Sequence, residues 1–61
     1  MTMIEAKEVA ANPSSNLLKL RLARLKLGNA ALRAFPSSPR QKEIRAMIEQ
    51  IETMPREYWS L

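Results

Sequence analysis

Leucines and cations repeat together between Leu17 and Phe35, and their spacing points to two kinds of chemistry: apolar association and phosphate recognition. On a helix, at about 100° per residue, Leu18, Leu22, Leu25, Asn29 and Leu32 fall on one line, and Leu20, Ala23, Leu27, Ala31 and Ala34 fall on the opposite side. Lys19, Lys26 and Arg33 recur every seventh residue down one flank, and Arg21 and Arg24 occupy the other. A helix apolar on two sides needs cover on two sides, so the pattern implies a second helix in cis and a further partner in trans. Either leucine face could pack in cis. We take Leu18, Leu22, Leu25, Asn29 and Leu32 as the self-association or partner face. Leu20, Leu27, Ala31 and Phe35 then form the hairpin core with Ile44, Met47, Ile48 and Ile51.

The outer line also has a zipper-like register, because Leu18, Leu25 and Leu32 are seven residues apart with Leu22 and Asn29 between them. In a parallel two-stranded coil a buried Asn at such a position fixes register, since its amide needs an amide opposite. The run covers fewer than three heptads, so packing in a bundle is the stronger expectation. The alternative use of this segment is nucleic-acid contact by Lys19, Arg21, Arg24, Lys26 and Arg33, each cation that reaches a phosphate adding a salt-dependent increment to affinity. A solvated flank, partly neutralised by Glu43, Glu49 or Glu52, accounts for the same cations.

Catalysis has little to rest on. The chain has no His or Cys, and Gly28 is its only glycine, which leaves no His- or Cys-based metal-ligand set, thiol nucleophile or glycine-rich phosphate loop, and its acids show no arrangement suited to catalysis. We therefore expect a non-enzymatic protein with no cofactor, no metal and no small-molecule substrate. Sixty-one residues make one small domain whose monomeric stability is marginal, and without disulfides or metal the remaining compensation is oligomerisation. No apolar run approaches the roughly 20 residues of a membrane span, and the N-terminus lacks the order of a secretory signal, so a cytoplasmic protein with no membrane partner is expected.

The formal charge of +4 is unevenly placed. Residues 15 to 34 hold five cations and no acid, residues 35 to 61 are balanced, and residues 1 to 14 carry a net −1.

The elements that must position these residues are read as follows. Residues 1–14 form a flexible or weakly helical tail, because Ile4, Ala6, Val9 and Ala10 offer little apolar area. Residues 15–54 form a helical hairpin. Its first helix runs from about Ser15 to Ala34, capped by Ser14, Ser15 or Asn16, and its second from about Pro39 to Met54. Leu18-Lys-Leu-Arg-Leu alternates like a strand, but Leu, Lys, Arg and Ala favour helix. Gly28 is the weak point, and a break there would give three short helices or a helix-turn-helix. Pro36 ends the first helix; Ser38, Pro39 and Gln41 read as N-cap, first helical residue and capping box of the second. Residues 55–61 hold Tyr58 and Trp59, which either fold back on the core or serve as exposed aromatic anchors for a partner.

The expected architecture is thus all-α: an antiparallel helical hairpin assembling into a four-helix-bundle-like homodimer, or docked on a protein partner. In size, charge and hairpin character the run NLLKLRLARLKLGNAALRAFPSSPRQKEIRAMIEQIE resembles the small accessory proteins of temperate bacteriophages. That resemblance covers about two-thirds of the chain and implies a viral regulatory factor that acts by binding host proteins or nucleic acid.

Overall fold

The computed structural model describes residues 1–13 and 16–60, which form α1 (Met3–Ala11), α2 (Leu17–Arg33), α3 (Pro39–Glu52) and the short α4 (Arg56–Trp59). Among the described residues the chain is all-helical. Each of the three long helices begins at a side-chain oxygen that takes up orphan amides. Thr2 Oγ1 accepts from the Glu5 amide at 3.2 Å, Asn16 Oδ1 from the Leu18 and Lys19 amides at 2.9 and 3.3 Å, and Ser38 Oγ from the Gln41 amide at 3.1 Å. Ser14 and Ser15, the other candidate caps, lie outside the described residues, as does Leu61 at the end of the aromatic tail.

Gly28 does not break α2, which is helical from Leu17 to Arg33. A Cβ at Gly28 would stand 2.8 Å from Nη1 of Arg24, so the glycine leaves the path along which the Arg24 side chain lies over the helix. The chain leaves the helix at Ala34, whose ψ is 151°, and turns through Phe35, Pro36 and Ser37. Ser38 donates its amide to the Phe35 carbonyl at 3.1 Å, and Ser37 has a φ of 62°, the pattern of a tight turn with Pro second and a left-handed residue third. Gln41 locks this corner: its Oε1 accepts from the Ser37 amide at 2.9 Å and its Nε2 donates to the Ala31 carbonyl at 3.1 Å. The capping box therefore closes one residue early, on Ser37, because the Ser38 amide is already used within the turn.

Two contacts fix the direction of α3 against α2. Gln41 near the start of α3 meets Ala31 near the end of α2, and Glu52 at the end of α3 meets Arg24 in the middle of α2, so the pair is antiparallel.

α2 is the hub and packs against each of the other three helices. Its inner line supplies Leu20, Ala23, Leu27 and Ala31 to a core completed by Ile44 and Ile51 of α3, with Met47 and Ile48 packed partly buried against it.

The largest departure from the sequence reading is at the N-terminus. Residues 3–11 are a helix that buries Ala6, Val9 and Ala10 against the hub, where a flexible or weakly helical tail with little to hold it in place was expected. Its small residues bury little area, but they are sealed in the same core as Ala23, and small side chains at a helix contact permit a short separation. Phe35 is the second departure. Placed in the core by the sequence reading, it is 84 % exposed, because Ala34 is already extended and the Pro36 turn carries the ring away from the hairpin. The Cα radius of gyration is 10.7 Å, against about 10.5 Å for a compact domain of this length. No helix among the described residues is long and apolar enough to cross a membrane.

Candidate functional site

The outer line of α2 forms a ridge in solvent. Leu18, Leu22, Leu25 and Leu32 are 65, 42, 49 and 85 % exposed, and Asn29 between them is exposed too. On the inner line of the same helix Leu20 and Leu27 are at 1 and 0 %. From Leu18 to Leu32 the ridge runs about 21 Å at the helical rise. Apart from Ile4, Met1 and Phe35, most of the large exposed apolar side chains belong to α2, where Leu17 is exposed beside the ridge.

A groove lies on each side of this ridge. Towards α3 the groove has a volume of about 540 Å³; Leu25, Asn29 and Leu32 form one wall, Gly28 its floor, and Ile48, Arg45, Glu49 and Glu52 the opposite wall. Towards α1 a second groove of about 510 Å³ is lined by Lys26, Arg33 and Arg40 together with Asn29, Ser38 and Phe35, and no acid lines it among the described residues. The two borders of the ridge thus differ in charge. One mixes acids and cations, and the other is basic.

The five cations of the first helix divide between two uses. Lys19, Lys26 and Arg33 are exposed and make no ion pair among the described residues. Arg21 and Arg24 turn inward. Arg24 Nε donates to Glu52 Oε2 at 3.2 Å, and its guanidinium carbon lies 5.8 Å from the centroid of the Trp59 ring, within cation–π range. Arg21 Nη2 donates to the Glu57 carbonyl at 3.1 Å, while its Nε is buried without a partner. These two arginines hold α4 onto the hub and are engaged there.

The aromatic tail is split in the same way. Trp59 packs against the core, and its indole N–H donates to the Met54 carbonyl at 3.0 Å; Tyr58 stays exposed. A partly buried indole whose N–H finds a carbonyl is a structural placement for Trp59, and of the two aromatics Tyr58 is the exposed one. Among the described residues no group of three His, Cys, Asp or Glu could hold a metal ion.

Sequence reading missed the second groove, because Arg40 and Phe35 come from either side of a turn and share no periodicity with Lys26 and Arg33. An available signal was the first turn of α3, which carries a cation and no acid. It also missed the engagement of Arg21 and Arg24, whose partners lie 36 and 28 residues away.

No family model, curated protein or solved structure matches this chain.

Proposed function

We propose that the protein is a non-enzymatic association module, a small regulatory or accessory factor, whose α2 ridge pairs with a second copy of the chain. The observation that carries this reading is the contrast between the two faces of one 17-residue helix. Its inner face is already covered by α1, α3 and α4, and its outer leucines remain in water. Apolar area removed from water is worth roughly 25 cal/mol per Å², so a row of four leucines along one ridge favours cover.

Charge supports a second copy in parallel orientation. With a two-fold axis running along α2, the basic border of each protomer lies against the mixed border of its partner, where Glu49 and Glu52 sit. With the axis across the helices, basic border meets basic border. The parallel arrangement also sets Asn29 opposite its own copy, amide to amide. Two α2–α3 hairpins then face each other as four helices, with α1 on the outer flank of each.

Sedimentation equilibrium over a concentration series, at low and high salt, tests this reading. A dimer insensitive to salt and lost in Leu25→Asp supports it, since apolar association changes little with ionic strength. A stably folded monomer at tens of micromolar sinks it.

A further inference from the structure

We propose that the corner between α2 and α3 binds single-stranded nucleic acid, with phosphates held by Lys26, Arg33 and Arg40 and a base stacked on Phe35. The inference rests on the basic groove and the turn beside it and not on the pairing of α2; it concerns the unpaired chain, because the parallel pairing proposed above sets this same border against the partner's acids.

Phe35 is the starting point. A large ring 84 % exposed is costly in water, and this one sits on a turn that is pinned. Pro36 follows it, its carbonyl accepts from Ser38 at 3.1 Å, and Gln41 bridges the next residue to α2. Ser37 holds a φ of 62°, a left-handed conformation that costs a residue with a Cβ. The ring is therefore presented on a rigid support.

Its surroundings are cationic and uncompensated. Lys26 and Arg33 project from one face of α2 two turns apart, and Arg40 enters from the first turn of α3. None of the three makes an ion pair among the described residues, and no acid lines their groove. Three free cations beside one flat ring match the way single strands are held without base-edge readout: charge tracks the backbone, and an aromatic face takes a base. An acidic peptide would use the cations but leave the ring idle. An anionic membrane would use the cations and the neighbouring leucine ridge but has no need of a ring held on a pinned turn, and competition by vesicles tells the two apart.

This site also replaces the set Lys19, Arg21, Arg24, Lys26 and Arg33 as the contact surface, since Arg21 is occupied by α4 and Arg24 by Glu52 of α3 and Trp59 of α4. Lys26 and Arg33 remain, joined by Arg40 and Phe35.

The test is fluorescence anisotropy of a labelled oligothymidylate against the full chain over a salt series, with thermal melts confirming that each variant folds. Three phosphate contacts give a slope of about −2 in log affinity against log salt for a single strand. Arg40→Glu should weaken binding roughly tenfold, and Phe35→Ala at least about fivefold, the lower bound for one stacked base. Phe35→Trp should retain binding. Arg56→Glu, an equal charge reversal on α4 outside the groove, should leave affinity within about twofold. The proposal is overturned by the absence of binding at low salt, by an unchanged affinity in Phe35→Ala, or by equal losses in Arg40→Glu and Arg56→Glu. It is also overturned if polyglutamate or anionic phospholipid vesicles compete as well as the unlabelled strand.

Discussion

The inner and outer lines of α2 carry the same residue type at the same spacing, yet Leu20 and Leu27 are sealed in the core while Leu18, Leu25 and Leu32 stand in water. The leucines themselves do not decide the difference. The inner line interleaves them with Ala23 and Ala31, which are buried in the core with them; the outer line interleaves them with Leu22 and Asn29 and is bordered by unpaired cations. Where small residues sit between leucines a helix docks against its own chain. Where polar ones do, the face stays open to another molecule.

Cutting into the inner line should have the largest effect. Leu27→Ala is expected to cost about 2–5 kcal/mol in urea unfolding, by lost burial and a residual cavity. Leu25→Ala on the ridge should leave the unfolding of dilute, unassociated protein within about 0.5 kcal/mol. Equal losses at the two positions would erase the distinction between the faces.

The next effect comes from adding volume where small residues matter. Ala6→Leu and Ala23→Leu raise apolarity and should still destabilise by about 1–3 kcal/mol, because both sites are fully buried. A stabilised Ala6→Leu protein would mean that α1 rests loosely on the hub.

Smaller and of opposite sign is Ser37→Gly, which relieves a left-handed residue and should stabilise by up to about 1 kcal/mol in thermal melts, offset in part by unfolded-state entropy. If Ser37→Gly also weakens the oligonucleotide binding proposed above, the rigid support of Phe35 is sharpened as the cause. Smallest is Lys7→Gln. The Lys7–Glu43 pair at 3.8 Å links two exposed side chains, so its loss should change stability by less than about 0.5 kcal/mol.

These residues also show what was legible in the sequence. The all-helical class and the cap Ser38 follow from local rules that act within four residues, and the structure bears them out; for the first helix those rules offered Ser14, Ser15 or Asn16 without choosing among them. α1 was not legible. Its contribution is close approach by Ala6 and Ala10, and apolar patterning weighs area alone. Phe35 was misplaced because its residue type argues for burial while one neighbouring torsion, at Ala34, decides where the ring points. Gly28 reads as a propensity cost, and only the fold reveals that the space above it is taken by Arg24. The second groove needed a turn geometry that sets Arg40 beside Arg33, which no linear spacing encodes.

The hub has a kinetic consequence. Because α2 is flanked in sequence by two of its spatial neighbours, α1 and α3 each dock by closing a single short connection, across residues 12–16 and 34–38. Loop closure over so few residues is fast, and helical proteins dominated by such local contacts fold on the order of microseconds to milliseconds. Each chain should therefore reach its folded form well before it meets a second copy, so that assembly is an encounter between finished surfaces.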